Sequence, residues 1–135
     1  MASWVGRRSP ANASSSGKAM LAFGDPALRE SVLRGTLEAV TPKTVTDPAK
    51  LRAVLDQTRR RGYAVSTGEL EEGLVTLAAP VLVDGRAVAA VSLSGPSSRI
   101  PARDISRLAR LLVDAATGVG RQIAGVSGPA AGSSV

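Results

Sequence analysis

The stretch LVTLAAPVLVDGRAVAAVSLSG, residues 74–95, constrains the fold more than any other part of the chain. Two runs of Val, Leu and Ala flank Asp84-Gly85, a dipeptide favoured in two-residue hairpin turns because both positions tolerate positive φ. The reading is an antiparallel hairpin. Its near-continuous apolarity implies strands buried on both faces, or a sheet packed between helices or subunits. Pro80 has no N–H to give to a ladder, so it marks an edge or a bulge in the first run.

Helices are punctuated by Asp-Pro pairs. DPALRESVLRG offers Asp25 as N-cap, Pro26 at the first helical position and Gly35 at the exit, with Leu28 and Val32 on one face and Leu33 beside them. DPAKLRAVLDQTRRRG repeats that grammar with Asp47, Pro48 and Gly62, and its Leu51, Val54, Leu55 and Thr58 form a stripe at helical spacing. SSSGKAMLAF reads as a helix behind capping serines, and YAVST as a short strand. IPARDISRLARLLVDAATGVGRQI returns to helix, with Ile105, Leu108, Leu112 and Ala115 facing one way and Gly118 and Gly120 weakening its last third. Near the start, SWVG then RRSPAN reads as a strand end running into a loop. Residues 124–135, AGVSGPAAGSSV, read as a disordered tail.

Composition removes whole classes of chemistry. The 135 residues include neither Cys nor His, which excludes disulfides, thiolates, His-bound metals and Ser-His or Cys-His catalysis. The expectation is a non-enzyme with no cofactor and no metal. Apolar residues at 44% suffice for a core, and aromatics at 2% mean that Val, Leu and Ala must build it. Net charge is +6, yet the cations sit at helical spacing or in short runs such as Arg59-Arg60-Arg61, without aromatics to stack on bases. A helix C-terminus welcomes such a triplet, so a solvated helix end accounts for it without nucleic acid. With neither a membrane-spanning run nor a signal peptide, a cytoplasmic protein is expected.

NASSSGKAMLAF looks at first like a phosphate-binding loop. Such a loop needs Gly-x-x-x-x-Gly-Lys-Ser/Thr, because the first Gly makes the turn and the hydroxyl holds Mg²⁺. Asn12 stands where that Gly belongs and Ala19 where the hydroxyl belongs. It is not a P-loop.

The same residues fit another pattern. SPANASSSGKAMLAF, then RRRGYAVSTGELEEGLVTLAAPV, then AVAAVSLSGPSSRI resemble the C-terminal effector-binding domain of IclR-type transcriptional regulators, in order, over roughly residues 4–123. The resemblance implies an α/β (α+β) fold: a GAF-like antiparallel sheet with flanking helices, apparently truncated at its N-terminal side. Residues 1–123 would then be a partial effector-binding domain. DNA would be reached only through an N-terminal winged helix-turn-helix that this stretch does not contain.

The resemblance also implies a site for a small organic acid. A carboxylate needs hydroxyls and free amides at a helix N-terminus, with apolar walls for the remainder of the ligand. Ser15, Ser16 and Gly17 match the family's small-residue turn, and Ser92 and Ser94, two apart and so on one strand face, match its paired serines. Thr76 falls where members often have Cys, and Ser66 where some have Asp, so ligand identity does not transfer. A strict two-residue turn would pair Leu77 with Ser92 and put Thr76 on the opposite face; a bulge near Pro80 would bring it back. Lys18 reads as a solvated helix face, and Glu69, Glu71 and Glu72 as a solvent-facing acidic loop.

Dimers or tetramers are implied as well, and a Val- and Ala-rich sheet edge favours self-association. Two further readings stay open: an oligomerisation or scaffold domain with a vestigial pocket, and a GAF-like enzyme resembling free methionine sulfoxide reductases. Those enzymes work through cysteines, which this chain lacks.

Overall fold

The computed structural model describes residues 5–127. Helix α1 spans Ser15–Phe23, α2 spans Pro26–Arg34 and α3 spans Pro48–Arg61; strands β1 (Ala64–Thr67), β2 (Leu74–Val83) and β3 (Arg86–Pro96) follow, then helix α4 (Ala102–Ser127). The strands form one antiparallel sheet in the order β1-β2-β3. The fold is therefore mixed α/β, an antiparallel sheet flanked by helices, as the sequence implies.

The caps fall where their residue types place them. Ser14 Oγ accepts from the Gly17 N–H at 2.9 Å, and Asp25 and Asp47 accept from Ala27 and Ala49 at 2.9 and 3.3 Å. Gly62 ends α3 at φ 92°, a left-handed conformation that Gly adopts without a Cβ penalty. Leu51 and Leu55 of α3 pack with Leu21 and Ala22 of α1 and with Leu33 of α2. Leu33 is the residue that α2 buries; Leu28, expected on that face, is 54% exposed. The outer helices are also bridged by Arg29–Asp56 at 2.6 Å and Arg52–Glu30 at 2.7 Å.

Asp84 and Gly85 turn the hairpin at φ 53° and 78°, as a primed turn requires. Pro80 itself pairs regularly with Ala90 and sits at a local edge rather than in a bulge of its own strand. Strand β1 stops opposite Ala78, so at Pro80 the central strand has β3 as its sole neighbour. A bulge lies one step further: Leu82 pairs with Ala87 but Val81 with Ala89, leaving Val88 spare. Burial on both faces holds for β2 from Leu74 to Val81 and fails for β3, whose outer position leaves every residue but Gly95 half-buried or exposed.

Alternation along the strands gives the sheet two different faces. On one, Ala64, Ala78 and Ala90 lie under Ala19 of α1. On the other, Val75, Leu77 and Leu93 pack with Ile100 and Ala109, and Ala79, Val81 and Val91 with Ala116 and Leu112 of α4. Ala109 and Ala116 are the buried alanines of α4, whereas Ala115, expected in the stripe, is exposed. Helix α4 does not falter at its glycines. A Cβ at Gly120 would stand 2.6 Å from the Leu82 carbonyl oxygen, so the bare glycine lets the helix settle on the strand end.

The helix continues through Ser127, past the start of the expected tail at residue 124. Residues 128–135 lie outside the described residues, as do residues 1–4 with the first half of SWVG; residues 5–14 form turns and irregular chain without a strand. No helix among the described residues is long and apolar enough to cross a membrane.

Candidate functional site

The bulge decides which hydroxyls share a face. With Val88 spare, Thr76 pairs with Ser94 and Ala78 with Ser92, while on the other side Ser66 pairs with Thr76. Ser66, Thr76 and Ser94 therefore make one cross-strand row, with Ala64, Ala78 and Ser92 as the next row, all on the α1 face. Thr76 is brought onto the face of the paired serines.

The row is graded in exposure and in use. Ser66 is 1% exposed and donates to the Ala13 carbonyl at 3.0 Å, which fastens the turn before α1 to the sheet. Thr76 is 7% exposed, and its Oγ1 is the one buried side-chain polar atom among the described residues without a hydrogen-bond partner. Ser92 and Ser94 are exposed. The described residues leave these two serines on the outer strand, β3, with no described strand beyond it to close a cavity around them. The row is an open shelf whose inner end is covered. A cavity of about 360 Å³ lies elsewhere, between Pro80, Leu82 and the C-terminal half of α4, and includes none of these residues.

Above the shelf, α1 begins at Ser15, which is buried, with Ser16 half-buried. The first intrahelical bond runs from Lys18 N–H to the Ser14 carbonyl, and the Gly17 N–H goes to Ser14 Oγ. That leaves the Ser15 and Ser16 N–H groups without partners among the described residues, at the positive end of the helix dipole. Gly17 has a different task. A Cβ there would meet the Ala11 carbonyl oxygen at 2.5 Å, so its lack of a side chain lets the turn fold back on itself.

Lys18 and Glu69 overturn the solvated reading. Lys18 is 1% exposed; its Nζ donates to the Val65 carbonyl at 3.2 Å and pairs with Glu69 Oε1. Helix α1 lies flat on the sheet, so the first-turn position that would face water on an outer helix faces β1 here. Burial pushes the ammonium below its ordinary pKa, opposed by the hydrogen bond and charge of Glu69. Glu69 is held further: Thr67 N–H donates to its Oε2 at 3.3 Å, and Thr44 Oγ1 donates to its carbonyl at 2.6 Å.

Asn12 and the α2–α3 connection were silent in the sequence. Asn12 Nδ2 donates to the Glu38 and Val45 carbonyls at 3.0 and 2.9 Å, and Thr41 Oγ1 to Gly68 at 2.6 Å. Thr44 Oγ1 also accepts from the Val40 and Thr41 amides. The one available signal was VTPKTVT, whose threonines around a proline favour side-chain-to-backbone turns. The arginine triplet is largely consumed by the protein: Arg59 donates to the Ala22 carbonyl at the end of α1, and Arg61 stacks on Tyr63 at 4.6 Å. Among the described residues no group of three or more carboxylates gathers as a metal site.

The fold is a helix-flanked antiparallel sheet of mixed α/β class. The family model for the bacterial transcriptional regulator IclR C-terminal domain matches residues 1–121. The chain belongs to the IclR C-terminal domain family. It is 40% identical over 113 residues to the HTH-type transcriptional regulator BhcR of Paracoccus denitrificans, covering 82% of this chain and 40% of that protein. The crystal structure of an IclR transcriptional regulator from Alicyclobacillus acidocaldarius superposes with a TM-score of 0.82 at 32% identity, over 90% of this chain and 49% of that one. An IclR homolog from Microbacterium hydrocarbonoxydans, solved with 4-hydroxybenzoate, gives a TM-score of 0.75 at 36% identity, over 84% and 46% of the two chains. The chain thus spans about 40% of the length of that curated relative.

Proposed function

We propose that this chain is the small-carboxylate-sensing module of an IclR-type transcriptional regulator and that it assembles into oligomers through this domain. The observation that carries the reading is the orphaned Thr76 hydroxyl. A buried hydroxyl without a partner costs free energy, and such groups are usually satisfied. This one lies between Ser66 and Ser94 on the face crossed by α1, whose first amides are also unpartnered. A carboxylate seated there would accept from Thr76 and from the Ser15 and Ser16 amides, with Ser94 and Ser92 at the outer end and Ala64, Ala78 and Ala19 as apolar floor and wall. Ser66 and Gly17 act one step back, by holding the turn in place. The 4-hydroxybenzoate bound to the Microbacterium protein supports the choice of ligand class.

In a whole regulator, such a ligand would change DNA affinity by binding two quaternary arrangements unequally. The outer edge of β3, which no described strand pairs, supports self-association. An oligomerisation domain with a vestigial pocket is the reading that Ser92 and Ser94, in solvent, favour. A thermal-shift screen against acetate, lactate, benzoate and 4-hydroxybenzoate separates the two. A binder at about 100-fold over its Kd adds about 2.7 kcal/mol. No stabilisation by any acid, or full stabilisation surviving in Thr76→Val with Ser94→Ala, contradicts the sensing assignment.

A further inference from the structure

The Lys18–Glu69 pair sits where three segments meet. Lys18 belongs to the first turn of α1, which presents the free Ser15 and Ser16 amides. Its ammonium reaches β1 at the Val65 carbonyl and the β1–β2 loop at the Glu69 carboxylate. The backbone of that same loop holds the irregular segment 36–46: Thr44 donates to the Glu69 carbonyl, and Thr41 to Gly68. One residue, Glu69, therefore touches α1 through its side chain and the 36–46 segment through its main chain.

We propose that Lys18 and Glu69 are a positioning pair that locks the anion-binding turn to the 36–46 segment, so that ligand affinity and the order of that segment rise and fall together. The inference rests on the sensing role for its ligand-binding half alone. Its physical basis is the asymmetry of buried ion pairs: an intact pair contributes little net stability, but removing one partner leaves a buried charge uncompensated. Without the ammonium, the Glu69 carboxylate turns toward water and draws the Gly68–Glu69 carbonyls with it. Thr44 Oγ1 then loses its acceptor, and the Val40 and Thr41 amides that it receives lose theirs. At the other end, Lys18 no longer holds α1 to Val65, and the Ser15 and Ser16 amides drift relative to Thr76.

The test is amide hydrogen exchange on the full chain, first without ligand, in wild type, Lys18→Met, Lys18→Arg and Glu69→Gln. The pair predicts that Lys18→Met raises exchange at Val40, Thr41 and Thr44 by about tenfold while Leu77 and Leu55 keep their protection, a local rather than global opening. Lys18→Arg, which leaves the Glu69 carboxylate compensated, stays within about threefold of wild type. Glu69→Gln removes the charge but leaves the carbonyl, and it gives the same local signature if Lys18→Met does not fold. Unchanged exchange at these three amides, or a uniform rise across the chain, overturns the proposal. Binding of benzoate and 4-hydroxybenzoate is then measured by calorimetry on the same proteins. About tenfold weaker binding in Lys18→Met, restored in Lys18→Arg, supports the coupling, and equal affinity in all four proteins overturns it. If wild type binds neither acid, the sensing role fails, while ligand-free exchange still decides the latch.

Discussion

Thr76 stands directly opposite Ser94 across the β2–β3 ladder, and it does so because Val88 is left out of the pairing. A one-residue shift flips every side chain to the other face. Without the bulge, β3 would turn over: Thr76, held in place by its pairing with Ser66, would stand opposite Leu93, and Ser92 and Ser94 would face α4.

Replacing Thr76 by Val tests both costs of that placement. The substitution nearly conserves shape and removes a buried hydroxyl without a partner, so the ligand-free protein should gain roughly 1 kcal/mol. Carboxylate affinity should fall about tenfold. Urea denaturation and calorimetry read the two effects, and their opposite signs separate a ligand-facing hydroxyl from a merely structural one.

Two glycines of α4 should respond oppositely to alanine. At Gly118 an added Cβ meets nothing within 4 Å, so helix propensity alone operates and Gly118→Ala should stabilise by about 0.5–1 kcal/mol. At Gly120 the Cβ would be driven against the Leu82 carbonyl, so Gly120→Ala should cost about 1–3 kcal/mol. Thermal denaturation of the two variants side by side checks the contrast.

Gly17→Ala should damage the turn rather than the fold at large. The Cβ would lie 2.5 Å from the Ala11 carbonyl oxygen and 2.6 Å from its Cα, and both atoms are backbone. The segment around Ala13 and Asn12 must shift, so ligand affinity should fall further than thermal stability does. Comparing Tm with calorimetric Kd in this variant tests that order.

Stability should decline on acidification for an identifiable reason. Glu30 is held below its ordinary pKa by its hydrogen bond from Arg52, and Asp56 by its hydrogen bond from Arg29. A lowered carboxylate pKa means the unfolded chain takes up protons first, so the contribution is present above the unfolded values of 4.5 and 3.8 and is lost as pH falls through the lowered folded ones. Both groups are exposed, so the effect is small and screened by salt. The double variant Glu30→Gln, Asp56→Asn should flatten this acid limb, as followed by urea midpoints from pH 6 downward.

Helix ends and the hairpin were legible because each rests on local chemistry: Asp25, Asp47 and Ser14 cap, Gly62 exits, Asp84-Gly85 turns. The shelf was half legible. The serine pair and the small-residue turn stood out, but whether those serines share the face of Thr76 depends on Val88, and nothing in a run of alternating Ala and Val marks which residue is spare. Lys18 and Glu69 were misread for a related reason. A lysine beside glycine and a run of acids look solvated until the topology lays α1 flat across the sheet, with β1 beneath it. Asn12, Thr41 and Thr44 act across long sequence separations, where short-range patterns carry no information.

The most direct measurement is an amide NMR titration of the wild-type chain with benzoate and 4-hydroxybenzoate. A carboxylate on the α1 shelf should shift the Ser15 and Ser16 amides downfield and saturably, together with the Thr76 signals, and the response should vanish in Thr76→Val with Ser94→Ala. Shifts confined to the cavity between α4 and the hairpin, at Thr117, Gly120 and Arg121, or no saturable shift at all, would contradict the account.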